Sequence, residues 1–159
     1  MAAKLEGVSE LTAAFAELKT DIQGQAARRI TAAGGSVLRK EARVVAQNHG
    51  LRKTGALINN IVIKRERNKP DGTEQYNLGV RHGRDLGNGK KVIKYLELGK
   101  SGRVVTKREN DPFYWKFLHF GTRDIQATRF LEIALENKAP AAVTAMAEKA
   151  KKEVLKFNK

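Results

Sequence analysis

LRKTGALINNIVIKRERNK, residues 51–69, holds the change of period that decides the fold class. Its first half reads as a turn followed by a short helix, with the Thr54 hydroxyl placed to accept from an exposed helical amide. Its second half abandons that rhythm. Ile61 and Ile63 alternate with Val62 and Lys64, which is strand spacing. Lys69-Pro70-Asp71-Gly72 then supplies turn chemistry. Beyond it, Tyr76, Leu78 and Val80 alternate with polar neighbours. Two alternating runs separated by such a turn predict an antiparallel hairpin.

Upstream, residues 8–49 read as helical. Leu11, Phe15 and Leu18 recur at helical spacing, as do Ile22, Ile30, Ala33 and Val37, followed by Val44. Ser9 suits the N-cap and Gly50 the stop. The Gly34-Gly35 pair costs about 1 kcal/mol per glycine relative to alanine. Such a pair is tolerated where another backbone packs close or where the helix bends.

Downstream, residues 81–108 carry five glycines and nine Lys or Arg around two short apolar runs, Val92–Leu98 and Val104–Val105. This predicts strands joined by mobile loops, or a hairpin arm projecting from the body. Asp111-Pro112 then marks a sharp helix start, with Asp as the cap and Pro at the first helical position. The helix FYWKFLHF ends at Gly121, where a left-handed residue belongs. A last helical region is expected over about 128–157, with Pro140 restarting or kinking it. Phe130, Leu131, Ala134 and Leu135 would form its first apolar face, and Val143, Met146, Ala147, Ala150 and Val154 its second. The expected architecture is α+β: a long N-terminal helical region and a C-terminal helix packed on a small antiparallel sheet. At 159 residues it reads as a single domain, 1–159, with 81–108 as a mobile basic loop or arm.

The net charge is +14 and uneven: +2 over residues 1–50, +3 over 51–80, +7 over 81–108 and +2 over 109–159. Half the excess therefore sits in the basic stretch, where it would favour a polyanion or an acidic protein surface, or serve as a solvated loop. The residues to carry such contact with DNA or a partner are Arg84, Lys90, Lys91, Lys94, Lys100, Arg103, Lys107 and Arg108. There is no cysteine, which removes disulfides, thiolate metal sites and a Cys nucleophile. No apolar run approaches the roughly 18 residues a membrane span needs, and MAAKLEGVSEL lacks the apolar core of a signal peptide.

Recognisable catalytic chemistry is missing. Gly99-Lys100-Ser101 ends like a phosphate loop, but position 94 is Lys rather than Gly, and Gly89-Lys90-Lys91 lacks the hydroxyl residue. His49, His82 and His119 lie on three different elements without metal-ligand spacing. No G-x-S-x-G elbow occurs. No catalytic, cofactor-binding or metal residue is assigned, and no cofactor is expected. The basic stretch holds one aromatic residue, Tyr95, so the stacking platform of single-strand binders is lacking too.

Five of the ten aromatic residues lie between Phe113 and Phe120. On a helical wheel Phe113, Phe117 and Phe120 fall within about 60° of one another. Tyr114 and Leu118 form a second strip, and Trp115 points away from the first. Only Lys116 and His119 are clearly polar. Such a helix is either buried deep in its own core, or packs one side on the core and the other, with Trp115 and Tyr114, on a neighbouring subunit. The candidate subunit-interface residues are Tyr114, Trp115, Leu118 and Phe130.

Three anchors give the chain a family resemblance: L-E-G-x-x-E-L at Leu5–Leu11, the [KR]-T-G-x-L element Lys53-Thr54-Gly55-Ala56-Leu57, and Phe120-Gly121-Thr122 followed by Phe130-Leu131 and Ala134-Leu135-Glu136. In this order they resemble the tail-completion family of long-tailed double-stranded-DNA phages and prophages, also called head–tail joining, neck or minor tail proteins. Arg129 and Ile133 stand where that family often has Pro, and Asn48-His49-Gly50 stands where a Pro commonly precedes the T-G element. The resemblance implies a non-enzymatic virion protein, made in the bacterial host cytoplasm. It would form a ring, six-fold in the family, around the DNA channel at the neck. Its partners would be itself, neighbouring neck and tail-tube or tail-terminator proteins, and double-stranded DNA in the channel, with no membrane. Thr54, Gly55, Gly121 and Thr122 would be turn elements. The alternative is a DNA-binding accessory protein that uses the basic 81–108 stretch directly.

Overall fold

The computed structural model describes residues 22–68, 70–83, 86 and 93–156. The L-E-G-x-x-E-L anchor, the Ser9 cap and the candidate contacts Arg84, Lys90 and Lys91 lie outside the described residues. A π-helical turn, Ile22–Ala26, leads into α1, Ala27–Asn48. One turn of helix follows as α2, Ala56–Asn59, then the strands β1, Ile61–Arg65, and β2, Tyr76–Val80. A second strand pair is β3, Ile93–Leu98, and β4, Val104–Glu109. The aromatic helix is α3, Trp115–Phe120, and the C-terminal helix is α4, Phe130–Val154. The protein is α+β, as expected, with two separate antiparallel hairpins among the described residues, β1–β2 and β3–β4.

Helix α1 is the spine. It ends as the sequence predicts: the amide of Gly50, at φ +70°, donates to the Gln47 carbonyl and that of Leu51 to the Ala46 carbonyl. The two glycines in its middle do not break it. A Cβ on Gly34 would stand 2.7 Å from Met146 and 3.2 Å from the Ala142 carbonyl of α4, and one on Gly35 would stand 3.2 Å from Ile63 of β1. The pair therefore admits close neighbours on two sides, α4 on one and the first hairpin on the other. Contacts Arg29–Glu153, Gly34–Met146 and Glu41–Asn137 run in opposite directions along the two helices, so α1 and α4 are antiparallel.

The first hairpin pairs Ile61 with Val80 and Ile63 with Leu78, as alternation requires. Asn60 makes the joint from helix to strand. It is buried, its side-chain amide donates to the Ala56 carbonyl at 2.8 Å, and its own carbonyl accepts from the Arg81 amide at 2.9 Å. Arg65 holds Glu74 across the hairpin with two bonds, 2.8 and 2.7 Å, and Arg28 of α1 lies 3.6 Å from the same carboxylate. The core gathers Ala42, Val45 and Ala46 of α1, Leu57 and Ile58 of α2, Ile61, Val80, and Phe130 and Ala134 of α4.

Two local expectations change. The second face of α4 is only partly the expected row: Met146 packs on Gly34 and Ala150 is half-buried, but Val143, Ala147 and Val154 are exposed, while Ala142 and Glu153 are buried. The register is set by the Ala142 carbonyl against Gly34 and by a charged cluster around Glu153. Glu153 accepts from Arg29 at 3.1 Å and from Lys149 and Lys156 at 3.0 Å each. Asp111, for its part, does not cap α3, which starts three residues after Pro112. Its buried carboxylate accepts the Gly83 amide at 2.9 Å and lies 3.9 Å from the Arg108 guanidinium, so it pins the foot of β4 to the loop after β2. Leu86, inside the basic stretch, is also fully buried, and its carbonyl accepts from Arg81.

Candidate functional site

The aromatic segment is fixed at its C-terminal end by backbone geometry. Gly121 sits at φ +79°, and a Cβ there would stand 2.9 Å from the Ala127 nitrogen and the Ile125 oxygen. Thr122 donates its amide to the Ile125 carbonyl at 2.8 Å and accepts the Asp124 and Ile125 amides on its hydroxyl. The loop then returns. Thr128 donates amide and hydroxyl to the Leu118 carbonyl, and Arg129 donates its amide to the His119 carbonyl. The exposed carbonyls of α3 are thus satisfied by the chain that starts α4.

One side of α3 faces inward. Tyr114, Trp115 and Leu118 pack against the core, and Phe130 is wholly enclosed in it. His119 is buried, edge-on to Phe120 at 4.5 Å and to Phe130 at 5.1 Å. Burial pushes its imidazole below the ordinary histidine range, opposed by Glu132, whose carboxylate is 3.8 Å from Nε2. The indole N–H of Trp115 is enclosed without a hydrogen-bond partner among the described residues.

The other side faces out. Phe113, Phe117 and Phe120 are 47, 52 and 65% exposed. Phe117 and Phe120 lie on α3, whereas Phe113 sits in the turn before it, so the stripe drawn on the wheel is only partly helical. The residues expected to meet a neighbouring subunit, Tyr114, Trp115, Leu118 and Phe130, are thus the partly or wholly buried ones within the protomer. Tyr114, Trp115 and Leu118 pack on the core but are only half-buried, Phe130 offers no surface at all, and Phe113, Phe117 and Phe120 are exposed. Arg108 crosses to the Phe113 ring, 5.3 Å from its centroid.

Thr54 and Gly55 sit at the start of α2. Gly55 takes φ +76°, and the Thr54 hydroxyl accepts the Ala56 amide at 3.3 Å. A groove of about 910 Å³ runs from this turn to the foot of the second hairpin, with Leu51, Lys53, Tyr95, Arg108, Phe113 and Leu118 in its walls. Of the candidate cations, Lys94, Lys100, Arg103, Lys107 and Arg108 are all exposed on that hairpin or its turn. Lys107 is paired with Glu97 across the strands, and Arg108 with Asp111. Among the described residues, no group of His, Asp or Glu is placed to hold a metal ion, and no helix is long and apolar enough to cross a membrane.

Exposed phenylalanines at a helix seated on the core, beside a basic hairpin, make an apolar surface patch of the kind found at interaction sites. A family model described as "Bacteriophage HK97-gp10, putative tail-component" matches residues 9–121, about seven-tenths of the chain. The chain belongs to this HK97-gp10-like family and is a structural component of a phage tail. The matched span contains the whole Lys53–Leu57 element and closes on Gly121. No match was found among curated proteins or among solved structures.

Proposed function

We propose that this tail component acts at the neck of the particle, where it completes the tail, joins it to the head connector and forms a ring of identical copies around the DNA channel, without catalysis. The observation that carries the reading is the exposed rings of Phe117 and Phe120 on α3, with Phe113 in the turn before it, beside a helix side that packs on the core. Three exposed aromatic rings are costly to leave in water. A ring closes through side-to-side contacts between different patches of identical subunits, and these rings can supply one of the two patches.

The test is assembly of particles carrying Phe117→Ser and Phe120→Ser together, imaged by electron microscopy. The expected result is separate heads and tails, with the wild-type chain located at the capsid–tail junction of complete particles. Normal joining by the double variant, or location of the chain elsewhere along the tail, would overturn the proposal.

A further inference from the structure

The β3–β4 hairpin has a pattern that the ring does not use. Its register places Leu98 opposite Val104, Leu96 opposite Thr106 and Lys94 opposite Arg108. Opposed residues of an antiparallel pair share a face. One face therefore carries Leu96, Leu98 and Val104, which are 72, 71 and 63% exposed. Lys94 and Arg108 close this apolar patch at the foot of the hairpin. Lys100 and Arg103, in the turn closed by the Gly99 amide on the Arg103 carbonyl, close it at the tip. An apolar centre ringed by charge is the anatomy of a protein-binding surface. Among the described residues the hairpin is two strands without a third, exposed on both faces, and such a pair is at best marginally stable alone.

We infer that this arm docks on a protein surface with an apolar centre and an acidic rim, and that neither DNA nor a second copy of the chain is its occupant. Residues 93–109 hold five Lys or Arg against two Glu, so the complementary rim is acidic. DNA would satisfy the cations, but its phosphates offer nothing to Leu96, Leu98 and Val104. The reverse face carries Glu97, which neutralises Lys107 and repels phosphate. A second copy would meet the arm with like charge, since the chain is +14 and the groove at the foot of the arm has Lys53 and Arg108 in its walls. This assignment does not depend on the ring.

The probe is a fluorescent alternating Glu-Val octapeptide, whose strand form presents acid on one face and apolar groups on the other. Its binding to the full chain is measured by anisotropy beside a labelled random-sequence DNA duplex. At physiological salt the peptide is expected to bind at least about tenfold more tightly than the duplex. Leu96→Ser with Leu98→Ser, and separately Lys94→Glu with Arg103→Glu, are each expected to weaken the peptide about tenfold or more, with unchanged melting of the body. Peptide binding indifferent to both double variants overturns the inference. So does duplex binding that is tighter than peptide binding and falls on the leucine changes, or a self-association in sedimentation that the leucine changes abolish. The Phe117→Ser and Phe120→Ser variant is expected to bind the peptide normally, which separates failure of this assignment from failure of the ring.

Discussion

Gly34 of α1 lies against Met146 of α4 with no room for a β-carbon between them: a Cβ would stand 2.7 Å from both Cγ and Sδ of the methionine. Two effects oppose each other at this site. Alanine in place of glycine favours the helix by about 1 kcal/mol. It must also displace Met146, whose flexible chain can swing aside, and it meets the Ala142 carbonyl at 3.2 Å, which cannot. Gly34→Ala is therefore expected to be close to neutral. Gly34→Val adds bulk against a fixed backbone oxygen and is expected to cost about 1–3 kcal/mol, the range for overpacking. Thermal melts read the difference, at roughly 2–4 °C per kcal/mol for a chain of this size. An unchanged midpoint for the valine variant would mean the helices are less closely seated than this.

Gly121 and Gly50 separate backbone strain from crowding. Both have positive φ, +79° and +70°. Nothing lies within 4 Å of a Cβ on Gly50, whereas one on Gly121 would meet the backbone of Ile125 and Ala127 at 2.9 Å. Gly50→Ala is expected to cost about 1 kcal/mol, for conformation alone. Gly121→Ala is expected to cost about 1–3 kcal/mol more, because the loop that satisfies α3 must move. Urea midpoints give the comparison, and equal losses at the two sites would refute the crowding argument.

The pH response follows from Glu153 and His119. The Glu153 carboxylate is held down to about 2 by its bonds from Lys156, Lys149 and Arg29. A carboxylate depressed in the folded state contributes stability that is present above its unfolded value, near 4.5, and is lost as pH falls toward 2. His119 is also depressed, by burial, so the fold favours its neutral form. That contribution is present above about 6.5 and is lost as pH falls below it. Both groups make acid destabilising. Glu153→Gln should lower stability at neutral pH and flatten its fall between pH 4.5 and 2, measured by urea unfolding across that range. A variant whose acid limb keeps the wild-type slope would show that Glu153 does not set it.

Periodicity located nearly every described element, because the signals there are local. The alternation of Ile61 and Ile63 against Leu78 and Val80 specified the first hairpin, and the glycines at 50, 55 and 121 marked real positive-φ turns. What sequence could not show depended on distant partners. Asp111 has the local credentials of a helix cap, yet its carboxylate goes to Gly83, 28 residues away. Val143 and Val154 look like core, yet Glu153 is buried instead, because Arg29 of α1, Lys149 of α4 and Lys156 just past its end converge on it. Asn60 passed unnoticed, since an asparagine between helix and strand has no distinctive pattern until its amide is seen on Ala56. On the aromatic helix the wheel separated the two sides but could not orient them. Apolar residues lie on both, and the inward side is the one packed against the core that holds Phe130, Ile61 and Val80.

That orientation makes the last prediction, which sets Trp115 against Phe117. Trp115 packs on the core with its indole N–H enclosed, while Phe117 is half exposed. Trp115→Ala removes a large ring from the base of α3 and is expected to cost up to about 3 kcal/mol, the low end for a buried aromatic because the ring is only partly covered. Phe117→Ser changes surface and is expected to stay within about 0.5 kcal/mol of wild type. Its effect should fall on the joining of heads to tails rather than on melting. The two variants should therefore separate on a plot of melting temperature against the yield of joined particles, Trp115→Ala moving along the first axis and Phe117→Ser along the second. If Trp115→Ala kept the wild-type melting temperature and lost only joining, the indole would be the inter-subunit contact, and the side of the helix assigned here to the core would be the side that meets the neighbour.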